Sequence, residues 1–137
     1  VITKEEIADQ LLQACPSFKP IYGESENKDL LYSLGGDFAH HLLTLLQNGE
    51  TSEFPAVAEM IEHLYFDGDS YMKEFATISL LEGIQNVWSN KGTDAEIFGA
   101  FLLPLSKKYW QSLKDFWDGK VPYVGYGIEA VGDNKWE

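Results

Sequence analysis

The sequence predicts an all-α domain, and three observations carry that prediction. Apolar side chains recur at three- and four-residue spacing through most of the chain. Helix-start signals precede several of these stretches, at Thr3 to Glu6, Asp69-Ser70 and Thr93 to Glu96. Helix stops follow them, at Pro16, Gly49, Gly92 and Gly119. The stretch from Phe66 to Val87 is the most informative. Behind the turn Asp67-Gly68-Asp69-Ser70, one helical face carries Met72, Phe75, Ala76, Ser79, Leu80, Gly83, Ile84 and Val87. Gly68 is expected to take the positive φ that ends one helix, with Asp69 or Ser70 capping the next. Ala76, Ser79 and Gly83 are small, so a neighbouring helix is expected to approach closely, which makes this the central buried helix.

The other elements follow in order. Thr3-Lys-Glu-Glu6 has the form of a capping box, opening a first helix with Ile7, Leu11 and Leu12 on one face and Ala8 and Cys15 beside them. Pro16 to Gly23 is a connector. A second helical region spans about 25–48 and contains Gly35-Gly36. Paired glycines inside a helix cost about 1–2 kcal/mol against alanine, so a break, a kink or tight helix packing is required, and a break with a fresh start near Asp37 is favoured. Phe38, Leu42, Leu45 and Leu46 then face inward. Ser52 or Glu53 starts a third helix that tolerates Pro55 in its first turn, with Val57, Met60, Ile61, Leu64 and Tyr65 as its stripe and Glu59 and Glu62 off it. After the central helix, Thr93-Asp-Ala-Glu96 is read as a capping box for a last long helix that Pro104 kinks or splits. Trp110 and Trp117 are expected at its edge. The organisation is one domain, 1–120, of five or six helices packed as antiparallel hairpins, with an irregular glycine-rich tail at 121–137.

Charge narrows the function classes. Of 137 residues, 22 are acidic and 10 basic, giving −12, and every cation is a lysine. A negative field opposes nucleic acid, and without arginine the chain lacks the bidentate fork suited to phosphate. The same field attracts and steers a basic protein. No apolar run is long enough to span a bilayer. The single cysteine, Cys15, cannot form an internal disulfide, so a reducing, cytoplasmic compartment is expected.

Catalytic and metal chemistry is tested against spacing and set aside. Asp37 with His41, and Glu59 with His63, share helical faces at four-residue intervals, and a metal-dependent hydrolase built on these four is the remote alternative. Neither pair has the His-Glu-x-x-His or Glu-x-x-His form. Asp67-Gly-Asp69-Ser-Tyr71 opens like a calcium loop, but Gly68 is not at its sixth position and Ile78 stands where the twelfth-position glutamate belongs. Cys15 reads as a small core residue, and Glu82 as exposed or paired with a lysine. No nucleophile elbow, phosphate-cradling loop or Cys-x-x-Cys occurs. The expectation is a non-enzyme that needs no cofactor or metal.

Leu30-Leu-Tyr-Ser-Leu-Gly-Gly-Asp37, then Phe66-Asp-Gly-Asp69, then Thr77-Ile-Ser-Leu-Leu-Glu82-Gly-Ile-Gln85, carry a resemblance over about residues 5–118. The chain resembles a family of small bacterial helical proteins in which a helix pair, a Gly-Asp turn and a serine–apolar–apolar–glutamate segment recur in this order. It departs at Gly35-Gly36, where the family has bulkier residues, and in its added glycine-rich tail. Similar small acidic proteins are often immunity proteins beside polymorphic or contact-dependent growth-inhibition toxins. The resemblance therefore implies an inhibitor that binds and blocks the C-terminal domain of a cognate toxin, and it brings no binding residues with it. Glu24, Glu26, Asp29, Asp67 and Asp69 are the expected acidic contact set. The alternative is a non-catalytic helical scaffold or adaptor of a bacterial cytosolic complex.

Overall fold

The computed structural model describes residues 1–24 and 31–119, and these are all-helical. The elements are α1 (Ile7–Ala14), α2 (Lys19–Glu24), α3 (Leu31–Gln47), α4 (Phe54–Asp67), α5 (Ser70–Glu74), a π-helical segment (Phe75–Leu81), α6 (Glu82–Asn90), α7 (Glu96–Gly99) and α8 (Pro104–Trp117). One hydrophobic core joins them. Leu11, Phe18, Leu34, Phe38, Leu42, Phe54, Ile61, Phe75, Ile84 and Phe98 are all sealed from solvent. The region 121–137, read as an irregular tail, lies outside the described residues.

Residues 70–90 form the expected central rod, but it is not a uniform α-helix. Asp69 caps it, its Oδ1 accepting from Met72 N at 2.9 Å. From Phe75 the pitch widens, and the amide of Glu82 bonds the carbonyl of Thr77, five residues back. A π turn holds more residues than an α turn, so the inward face rotates as the rod continues. This explains why the buried set passes from Phe75, Ala76 and Leu80 to Leu81, Ile84, Gln85 and Trp88, while Gly83 and Val87 sit only half-buried. Thr77, absent from the expected face, is buried in the π segment. It donates to Lys73 O at 3.1 Å and takes the Tyr65 hydroxyl proton at 2.6 Å, tying α4 to the rod.

The close approach occurs at Ser79, and α3 makes it. A Cβ on Gly35 would lie 2.6 Å from Ser79 Cβ and 3.0 Å from Ser79 O. Gly35-Gly36 is therefore not a break: α3 runs unbroken from Leu31 to Gln47, and Gly35 is the point where two backbones touch. Gly36 and Gly83 have open space where a Cβ would stand. Ser79 Oγ itself is a buried side-chain polar atom without a hydrogen-bond partner among the described residues.

Gly68 also departs from expectation. Its φ is −78°, so the positive-φ ending is wrong. Glycine is needed there because the backbone folds tightly over the end of α4: a Cβ would collide with the carbonyl of Leu64. The N-terminal segment then clamps the turn. Ile2 N donates to Asp67 O at 2.8 Å, and Asp69 N donates to Ile2 O at 3.0 Å.

The chain after the rod is rearranged relative to the sequence reading. Thr93 opens no long helix. Asp94 caps the four-residue α7 instead, its Oδ1 accepting from Glu96 N at 3.0 Å. Glu96 turns away to Trp110 Nε1 (2.8 Å) and Lys114 Nζ (2.7 Å). Pro104 splits the region outright and occupies the first turn of α8, where its missing N–H leaves no intrahelical bond unmade. Trp110 is not at an edge: it is 2% exposed, its indole crossing over Gly99, whose hydrogen side chain leaves the room. Trp117 is at the edge, 59% exposed.

Candidate protein-interaction surface

The expected acidic contact set is only partly visible. Glu26 and Asp29 lie outside the described residues. Glu24 is exposed at the end of α2, and Asp67 is exposed at the end of α4, where its Oδ2 sits 3.9 Å from His63 Nε2. Asp69 is half-buried and committed to the cap of α5, which weakens it as a contact residue. No contact joins Glu24 to Asp67 or Asp69 among the described residues, and none of the three lines the cleft between their elements. Tyr22, two residues before Glu24, and Tyr71, two residues after Asp69, line one cleft of about 390 Å³ together with Lys4, Ile7 and Leu34.

Phe66, which is not in the expected contact set, stands beside Asp67 with 72% of its surface in water. The Ile2 clamp on Asp67 and Asp69 holds the backbone on which both side chains stand. An exposed aromatic next to a carboxylate on a hydrogen-bonded backbone has the form of an interface anchor with a polar rim. Sequence periodicity points to it in retrospect: Phe66 follows the stripe residues Leu64 and Tyr65 but falls off their face.

The residues of the remote hydrolase reading are not assembled. His41 turns to Ser17 and His63 to Asp67, while Glu59 is exposed. Among the described residues, no group of three or more histidine, cysteine or carboxylate side chains is placed to hold a metal.

A different polar cluster does form, through hydrogen bonds that span 24 to 38 positions. Ser17 Oγ lies 2.6 Å from Glu53 Oε1 and 2.8 Å from His41 Nε2, and Cys15 Sγ donates to the same Glu53 oxygen at 3.0 Å. Ser17 has one proton, and the short bond to the carboxylate takes it. His41 Nε2 is then the donor to Ser17 Oγ, so the imidazole does not act as a base toward this serine. Burial lowers the His41 pKa, against the pull of Glu53. Burial, with the Glu53 hydrogen bond adding to it, pushes the Cys15 thiol up to about 12. A thiol this weakly acidic is a poor nucleophile. The cluster works as a clasp between the segment after α1, the middle of α3 and the start of α4. No sequence signal announces it, because tertiary packing alone brings these positions together.

The clasp gives an alkaline signature. Folded Cys15 keeps its proton to about pH 12, whereas the ordinary thiol value is 9.0. The unfolded chain thus binds fewer protons between these values, and stability present below pH 9 is lost as pH rises through this window. Denaturant midpoints measured from pH 8 to 10 are expected to fall for the native chain. The fall should be shallower for Cys15→Ala, and equal slopes would show that the thiol is not protected.

Glu82 is half-buried and meets Trp117 rather than a lysine, its Oε2 accepting from the indole Nε1 at 3.0 Å. Burial raises its pKa, with the indole bond working in the opposite direction. Glu62, expected off the apolar stripe, is recruited across the fold. It accepts from Leu105 N (3.0 Å), Ser106 N (2.8 Å) and Ser106 Oγ (2.7 Å), capping α8 from α4.

Among known families, a domain of unknown function (DUF7674) matches residues 8–118. The chain belongs to this family. No curated protein and no solved structure matches it. The family's extent begins inside α1 and ends one residue past α8, so it takes in the clasp, the Glu62 cap, the Gly35–Ser79 contact and the Phe66 turn. Among the described residues, no helix is long and apolar enough to cross a membrane.

Proposed function

We propose that the protein is an immunity-type inhibitor, which binds a basic cognate bacterial toxin domain stoichiometrically and neutralises it in the cytoplasm. The observation that carries this reading is the 72% exposed Phe66 beside Asp67 on a clamped turn, in a chain of net charge −12. Long-range attraction from the acidic surface speeds encounter with a basic partner, and the aromatic side chain supplies the desolvated centre that slows release. The thiol of Cys15, its pKa held at about 12 inside the clasp, supports a structural rather than nucleophilic use of the most reactive side-chain type present. In the rival reading the chain is a helical scaffold or adaptor, for which charge has no special part.

Growth rescue tests the proposal. The toxin C-terminal domain encoded immediately upstream is induced in a susceptible bacterium with and without this protein, and selective rescue is expected. With purified components, Phe66→Ala should weaken binding by about 30-fold, the loss of a central aromatic anchor of about 2 kcal/mol. Raising salt from about 50 to 500 mM should slow association by about tenfold or more. An upstream product that stays equally toxic in both cells removes the reading. A partner bound at a salt-independent rate moves it to the scaffold alternative.

A further inference from the structure

A second recognition feature lies at the far end of α8. Trp117 is 59% exposed, yet its ring is fixed: Nε1 donates to Glu82 Oε2 at 3.0 Å, and the indole meets Phe116 edge-on with centroids 5.3 Å apart. It walls a cleft of about 240 Å³ that Gln85, Asp94, Glu96, Lys114 and Asp118 also line. Three carboxylates there face one ammonium. Lys114 is paired with Glu96, which also holds Trp110 Nε1, and it is attracted by Asp118 and Asp94 as well, so the cleft keeps a net negative charge even though Asp94 spends Oδ1 on Glu96 N. Gln85 is only 9% exposed, and its Nε2 donates to Trp110 O at 3.2 Å. The Gln85 carboxamide is part of the cleft wall.

We infer that this cleft binds the guanidinium of an arginine side chain carried by a basic polypeptide, stacked on Trp117 and hydrogen-bonded by Asp94, Asp118 and Gln85. The chemistry selects this ligand in three ways. A fixed, exposed indole face attracts a planar cation. Acceptors on several sides match the five donors of guanidinium better than the compact, strongly hydrated lysine ammonium. The volume is below that of a drug-sized pocket and suits one side chain. The chain has no arginine of its own to fill the site, and its charge of −12 favours a cationic partner. The inference does not depend on the inhibitor reading, and its test contains no toxin, so either can fail without the other.

The test is a titration of the intact, ¹⁵N-labelled protein with N-acetyl-arginine amide, followed through the tryptophan indole resonances. Trp117 is assigned by its loss in Trp117→Phe. The Trp117 signal is expected to shift saturably, while buried Trp88 and Trp110 stay in place. N-acetyl-lysine amide should bind about threefold or more weakly, and the neutral citrulline analogue should leave the signal unmoved. Asp118→Asn, at an exposed position that should not disturb folding, is expected to weaken the arginine response by about threefold or more. A Trp117 signal that ignores the arginine amide, follows citrulline equally, or is indifferent to Asp118→Asn overturns the inference.

Discussion

Gly35→Ala is expected to destabilise the protein by about 1–2 kcal/mol net, and Gly35→Val by about 3 kcal/mol or more, although both changes improve helix propensity. The added Cβ would stand 2.6 Å from Ser79 Cβ and 3.0 Å from its carbonyl oxygen, well inside the separation at which non-bonded carbons attract. Its neighbours are the Cβ and the carbonyl of Ser79 in the middle of the rod, neither of them the free end of a flexible side chain, so relief requires α3 and the π segment to move apart. Gly36 is the internal control. It sits in the same helix with nothing within 4 Å of where a methyl would stand, so Gly36→Ala should gain about 0.5–1 kcal/mol from propensity alone. Urea titrations report both through the midpoint at constant slope. Opposite signs at adjacent glycines identify a helix contact. A loss at both positions would instead indicate that α3 needs a flexible centre, as the expectation of a break supposed.

Glu62→Ala should cost about 2–4 kcal/mol, among the largest losses available from a single half-buried side chain. Pro104 brings no N–H to the start of α8, so Leu105 and Ser106 supply its first amides, and both bond the Glu62 carboxylate. Ser106 is completely buried, and its hydroxyl donates to the same group. Removing the carboxylate strands three donors at a helix N-terminus whose dipole also favours negative charge there. Glu62→Gln keeps an acceptor oxygen without the charge and should lose about half as much. Exposed Glu59, one turn earlier, should tolerate alanine within about 0.5 kcal/mol. If Glu59→Ala and Glu62→Ala cost the same, the cross-helix cap contributes nothing.

Both predictions rest on contacts that the one-dimensional pattern does not contain. Most helices are legible because their causes are local, but Pro16 to Gly23, expected as a connector, is a 3-10 turn followed by α2. Thr3 to Glu6, Asp69 and Pro55 act within one turn, and the stripes of α3, α4 and the rod need only their own periodicity. Small residues correctly marked the rod as a place of close approach, but which one is touched depends on where the π turn rotates the face. Ser79 is met and Gly83 is not. Thr93 to Glu96 shows the limit of a local signal. The capping pattern is present, yet Glu96 gains more from Trp110 and Lys114 than from reaching back to Thr93.

The surface was less legible for the same reason. Net charge and the absence of arginine are properties of composition, and they locate no contact residue. Counting acidic residues named Asp69, which the fold uses as a cap, and passed over Phe66, whose exposure is settled by where α4 ends. Periodicity places Trp117 at an edge, where it is, but not its bond to Glu82 from 35 positions away.

The sequence by itself determined the all-α class, the places where most helices start and stop, and a net charge of −12. Each follows from propensity, capping or summed charge, which act over a few residues or over none in particular. Only the tertiary structure decided that Gly35 is a contact rather than a break, that Glu62 starts another helix, and that Cys15, Ser17, His41 and Glu53 form a clasp. Those outcomes depend on which distant groups share a buried space, where an unpaired donor or an extra methyl is costly enough to override local preference.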